Sequence, residues 1–288
     1  MPIYDKKPAP FLTALVKRLD PVPPLIGMCA GFEGGEWRCD QLADHILEWL
    51  PEFALTEQDL LEFGPANALR ALRDAARYVY TSAKYGRRGE VGEILLHAIV
   101  RQEYGSVPLI SKVFFKDSPN DTVKGFDGVH VVEAPDGLEL WLGEVKLYKN
   151  AAEAVRDVVE ELREHTRIDY LRTEFTAIWR KIDRSSPYRD ALRPILEGRN
   201  TTMDAIFRRI CIPVLLTYDS AAVAGHAVGG PEYVRAVLGE LERHHGRFAG
   251  ADLPQEVRIL LMLVPVGDKA ALLDRFDRKL KGLAGDSV

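Results

Sequence analysis

A chain of 288 residues with 47% hydrophobic and 28% charged residues has material for one large core with a smaller appended unit, the composition of an ordinary soluble globular protein. The formal net charge of −5 gives no global basic field, so a polyanion would have to be met by local Lys/Arg clusters. Cys29, Cys39 and Cys211 form no CxxC pair and do not resemble a disulfide framework or a zinc cage, which points to a reducing cytoplasm. The start MPIYDKKPAPFLTALVKRLDP lacks a signal-peptide layout, and the run ILLMLVPV is far below the ~20 residues of a spanning helix, so membrane functions drop out.

Residues 1–83 carry Pro-rich punctuation (KKPAP, DPVPP, FGPAN) and then three-to-four-residue apolar spacing in QLADHILEWL and NALRALRDAARYVYTSAKY, which predicts a mostly helical N-terminal region offering a surface for partner contact. Residues 84–288 form the second unit. Within it, GRRGEVGEILLHAIVRQEYG reads as a buried helix over 89–104, ended by Gly105. Three β-like runs follow, VPLISKVFFKD, GFDGVHVVE and LELWLGEVKLY. Next come an amphipathic helix (AAEAVRDVVEELREH), a charged insertion over about 167–209, a buried strand (CIPVLLTY), a helix (PEYVRAVLGELERHH), a strand (VRILLMLVPV) and a last helix (KAALLDRFDRKLKGL). The insertion interleaves Arg172, Arg180, Arg189, Arg193 and Arg208 with Tyr170, Phe175, Trp179, Tyr188 and Phe207, which reads equally as a nucleic-acid surface or as a small helical unit with a solvated face.

GFDGVHVVE and LELWLGEVKLY carry two acids in otherwise apolar strands. Joined as a hairpin through Ala134, Pro135, Asp136 and Gly137, they allow two even-length registers. A turn centred on Pro135 and Asp136 sets Asp127 opposite Glu144; one centred on Asp136 and Gly137 sets it opposite Lys146. Both place Asp127, Glu144 and Lys146 on one face with Val129, Val131, Leu140 and Leu142, because side chains alternate with period two. Paired carboxylates there call for a proton, for Lys146 or for a hard cation, and an all-oxygen set favours Mg²⁺, with Mn²⁺ as substitute. Such a cation would act as a Lewis acid while Lys146 orients water, which suits phosphodiester hydrolysis. A glycosidase would need neither metal nor lysine, and the acids lie too close for an inverting mechanism. Glu93, on the Leu96 and Val100 stripe of its helix, either reaches over the sheet to the metal or is an edge-of-core acid paired with an Arg or with His97. His130 falls on the opposite face and reads as structural.

Glu93 on a helix, Asp127 on one strand and Glu144-Val145-Lys146 on the next resemble the PD-(D/E)xK nuclease superfamily, whose restriction-endonuclease-like core runs helix, three strands, helix, strand. The resemblance implies an α/β (α+β) fold with a mixed sheet flanked by helices. It also implies Asp127 and Glu144 as metal ligands, Glu93 as an auxiliary one and Lys146 as the water-orienting group. Phe126 replaces the proline that often precedes the aspartate, and the helix after the third strand lacks the glutamine some members carry. GRRGEVGE, KGFDGVH and LGEVKLY together look like the nuclease subunit of the Hachiman anti-phage defence system, over most of residues 80–270. That family implies a DNA-degrading effector held inactive by a helicase-like ATPase; no GxxxxGK[ST] loop occurs here, so ATP use would belong to the partner. Arg87 and Arg88, ahead of the helix, are candidates for DNA backbone contact. From another class, the fold could serve as a catalytically idle scaffold that binds DNA or regulates a partner ATPase.

Overall fold

The computed structural model describes residues 4–20, 22–82, 89–111, 125–184, 186–198 and 201–285. Arg87 and Arg88, and the boundary between the two units at 83 and 84, lie outside them.

Strands β1 (Thr13–Arg18) and β2 (Leu25–Cys29) come first, followed by a small hairpin of β3 (Phe32–Glu33) and β4 (Glu36–Trp37). Helices α1 (Cys39–Glu48), α2 (Leu50–Ala54), α3 (Glu57–Glu62) and α4 (Ala68–Ser82) come next. The chain continues through α5 (Gly89–Tyr104), β5 (Val107–Ser111), β6 (Gly128–Ala134) and β7 (Gly137–Leu147). Helix α6 (Ala151–His165) leads to α7 (Ile168–Lys181), α8 (Arg189–Leu196) and α9 (Met203–Phe207), which make up the charged insertion. After β8 (Ile210–Asp219) come α10 (Ala221–Ala224), α11 (Pro231–Ala249), β9 (Arg258–Val266) and α12 (Lys269–Ala284).

Seven strands form one sheet in the order β1-β2-β9-β8-β7-β6-β5. Neighbours among β2, β9, β8 and β7 are parallel, and both ends are antiparallel. The central strands β8 and β9 are buried along nearly their whole length, as parallel strands covered on both faces must be, and their sequences are correspondingly continuous apolar runs. One face packs Val129, Val131, Leu140, Leu142, Val214 and Leu216 against α6, α7, α8 and α11. The other packs Val132, Trp141, Leu215 and Met262 against α1, α2, α4, α5 and α12.

The helices expected before residue 83 are present, but β1 and β2 were not expected. LIGMC is short and buried on both sides, so it shows no alternation, and its pairing with β9 spans more than two hundred residues of chain. In the insertion, the aromatics turn inward: Phe175 and Phe207 are buried, and Tyr170, Trp179 and Tyr188 pack against the same core. The Arg189 guanidinium stacks 4.1 Å from the Trp179 ring centroid and donates to the Trp179 and Ile182 carbonyls. These contacts favour the small helical unit over an aromatic nucleic-acid platform.

Candidate active site

The β6–β7 turn takes the first of the two registers. Ala134 pairs with Gly137, leaving Pro135 and Asp136 as the two-residue connection, and the ladder runs back to Gly128 opposite Gly143. There it changes. The Asp127 N–H donates to the Gly143 carbonyl at 2.7 Å, and Asp127 Oδ2 accepts from the Val145 N–H at 2.8 Å. The aspartate side chain thus takes the place of the next ladder bond and lies beside Glu144. From Glu144 to Leu147, β7 pairs with β8 on one side, but among the described residues it has no strand partner on the other.

That opening lets both faces of the sheet contribute to one cavity. Asp127, Glu144 and Lys146 line it from the α6 face, and Glu93 from α5, which packs on the opposite face; the cavity volume is about 420 Å³. Close approach of α5 is possible because a Cβ at Gly92 would overlap Val145 Cγ1 and one at Gly143 would overlap Leu96 Cδ2. Helix α5 spans 89–104 and ends at Gly105 with φ of 61°, the left-handed conformation that glycine adopts without cost. His97 and Arg101 are buried. His97 Nε2 lies 3.1 Å from Glu52 Oε1, and Arg101 pairs with Glu52 and donates to the Ser106 carbonyl and, at 2.7 Å, to the Tyr4 carbonyl. The partner that His97 takes is therefore Glu52. His130 is structural, with Nδ1 at 3.0 Å from Ser106 Oγ on the far face.

Helix α6 supplies residues whose role the sequence reading did not assign. Asn150 caps it, Oδ1 accepting from Ala152 N–H at 2.8 Å, and the helix then runs antiparallel to β7. Four helical residues rise about 6 Å and two strand residues about 6.6 Å, so side chains at those spacings stay in step. Three rungs result. Tyr148 Oη donates to Asp157 Oδ2 at 2.8 Å, Lys146 Nζ donates to Glu161 Oε2 at 2.5 Å, and His165 Nδ1 lies 2.5 Å from Glu144 Oε1. Tyr170 stacks on His165 with centroids 4.4 Å apart, and Phe126 packs edge-on against both rings, 5.3 Å from His165 and 6.2 Å from Tyr170. The four-residue spacing of Asp157, Glu161 and His165 on an amphipathic helix was the signal available in the sequence.

Glu144 is only 2% exposed. Burial pushes its carboxyl up, the His165 hydrogen bond opposes this and the Asp127 charge adds to it, leaving it at about 7. Burial pulls the His165 imidazole down, but Glu144 outweighs it and the net shift is upward. Two apposed carboxylates, one of them poorly solvated, make a donor set that a hard cation fits. Among the described residues no three His, Cys, Asp or Glu side chains converge as a metal cage. A cation here would therefore rest on Asp127 and Glu144, with water and phosphate oxygens completing its shell, an arrangement Mg²⁺ accepts.

The order helix, three-strand meander, helix, strand, with acids and a lysine at an opening in the sheet, is consistent with an α+β nuclease-like fold. The profile of the HamA family matches residues 12–280, and the chain belongs to that family. It is 24% identical over 231 residues to a protein of Escherichia coli (strain K12) described as anti-bacteriophage protein A. That match covers 76% of this chain and 41% of the relative, so the chain spans well under half the length of this curated relative.

Proposed function

We propose that the protein is a metal-dependent DNA endonuclease, an effector of anti-phage defence that acts with a helicase-like ATPase. The observation that carries the chemistry is the convergence of Asp127, Glu144 and Lys146, with Glu93 at the rim, in one cavity where the sheet opens. HamA family membership and the name of the E. coli relative support the defence role. DNA and the helicase-like partner come from the Hachiman resemblance of the motifs.

Asp127 and Glu144 would hold Mg²⁺ or Mn²⁺, with Glu93, which lines the same cavity, as an auxiliary acid reaching the shell through bound water. When bound, the ion would neutralise the paired carboxylates and polarise a phosphate oxygen. Lys146 sits two residues along the same face, where its ammonium can orient the attacking water and offset charge gathering on the phosphoryl group. Asp127 Oδ2 is fixed by the Val145 N–H, which holds the carboxylate on the near side of Glu144. Water would then add to phosphorus as one P–O bond of the backbone breaks.

A second reading, an idle scaffold that binds DNA or regulates a partner ATPase, is favoured by one observation: Glu144 and Lys146 are both engaged by α6. The two separate experimentally. The protein is purified with its helicase-like partner, supplied with Mg²⁺ and duplex DNA, and compared with Asp127→Ala and Lys146→Ala. Loss of cleavage in both variants is expected, and cleavage that survives both refutes the site assignment. Calorimetry without Mg²⁺ binding, even in the DNA-bound complex, favours the scaffold.

A further inference from the structure

Two charged groups of the proposed cleavage machinery, Glu144 and Lys146, are held by one turn of a single helix. Glu161 takes Lys146, and His165, four residues on, takes Glu144. Each holder has the same chemical character as the ligand that would replace it. A carboxylate presents an oxygen to the ammonium as a phosphate does, and the His165 ring nitrogen Nδ1 occupies the position facing the carboxylate oxygen where a cation would lie.

We propose that this turn of α6 is a clasp that fills the site in the absence of ligand, Glu161 standing in for a DNA phosphate and His165 for the divalent cation, both displaced when these bind. The inference rests on the reading of Asp127, Glu144 and Lys146 as a cation- and phosphate-binding set, and adds a threshold to it. The Glu161 side chain is 40% exposed, so its ion pair with Lys146 is a weak, solvent-screened one that a phosphate can displace. His165 is more enclosed, stacked on Tyr170 with Phe126 edge-on beside both rings, so the imidazole is kept in line with Glu144. The outer rung, Tyr148 with Asp157, lies beyond both site residues and keeps α6 in register with β7 while the inner two open. The clasp therefore closes again when the ligands leave.

The test uses the full chain as wild type, Glu161→Gln, His165→Gln and Glu144→Gln. Without metal, an amine-reactive ester is applied and acylation of Lys146 is followed by peptide mass spectrometry. Glu161→Gln should raise that rate several-fold. Calorimetry then measures Mn²⁺ affinity, and His165→Gln should bind about tenfold tighter, the equivalent of one competing hydrogen bond to a charged group. Melting curves accompany each variant, and the acylation readout on the exposed Glu161 stands even where His165→Gln is destabilised. Unchanged acylation in Glu161→Gln, or weaker Mn²⁺ binding by a folded His165→Gln, overturns the clasp and leaves these residues as permanent supports of the site. With Mn²⁺ binding abolished in Glu144→Gln, such a result leaves the cation-site reading standing. If Glu144→Gln binds Mn²⁺ as well as wild type, the cation site itself is wrong and the clasp falls with it.

Discussion

Substituting Gly92 by alanine probes the contact that sets Val145, the residue between the two β7 site groups. A Cβ at Gly92 would lie well inside 3.0 Å of Val145 Cγ1, with Val145 Cβ at 3.7 Å and Leu147 Cβ at 3.8 Å. Carbon atoms rest about 3.5–4.0 Å apart, so full relief of the overlap would take a separation of α5 and β7 by about 1 Å. Val145 cannot easily yield: it is β-branched, its N–H is bonded to Asp127, and its backbone pairs with Leu215. Overpacking of this kind costs about 1–3 kcal/mol, and the better helix propensity of alanine returns about 1 kcal/mol. A net loss of about 1 kcal/mol, the middle of the resulting ~0–2 kcal/mol range, is expected, read as a lower urea midpoint at unchanged slope. Val145→Ala removes the obstructing methyl groups, so the same Gly92 substitution should cost about 1 kcal/mol less in that background. Wild-type or higher stability for Gly92→Ala, or an identical loss in both backgrounds, would show that α5 does not press on β7 as described.

Arg101→Ala should destabilise by about 3–5 kcal/mol in urea titrations, because Arg101 is 1% exposed and its removal leaves the Glu52 carboxylate with His97 as its one remaining side-chain partner among the described residues and frees the Tyr4 and Ser106 carbonyls. Burial holds the His130 imidazole well below its ordinary 6.5, so its contribution to stability is complete above that pH and is lost as the pH falls towards the folded-state value, by up to about 1.4 kcal/mol per unit. His45 and His244, lowered by burial, act in the same sense, whereas His165, raised by Glu144, acts in the opposite one. Urea midpoints at about pH 7.5 and about pH 5.5 should differ less for His130→Asn than for wild type. Glu144 works the other way: its carboxyl, raised from 4.5 to about 7, costs stability progressively as the pH climbs through that window. Glu144→Gln should therefore match or exceed wild-type stability at about pH 8 while losing Mn²⁺ affinity, as melting curves and calorimetry would show.

Features set by local chemistry were legible in the chain alone. Flanking glycines bounded α5 at 89 and 104, and the Pro135-Asp136 turn, once its length was chosen, put Asp127, Glu144 and Lys146 on one face. Period-two alternation also separated Val129, Val131, Leu140 and Leu142 from His130, Val132 and Trp141. The resemblance carried by GRRGEVGE, KGFDGVH and LGEVKLY pointed to the family that the chain-wide match shows. Tertiary structure decided the rest, because those features depend on contacts between segments distant in sequence. The LIGMC strand is defined by β9, more than two hundred residues away. Glu93 lines the same cavity as the acids only because β7 outruns β6 and leaves an opening in the sheet. His97 and Arg101 are buried because α2 brings Glu52 to them. The clasp residues Glu161 and His165 meet their partners through a match between helix and strand rise that appears only when α6 is laid along β7. A single sequence displays periodicity along one element, but not the phase between two.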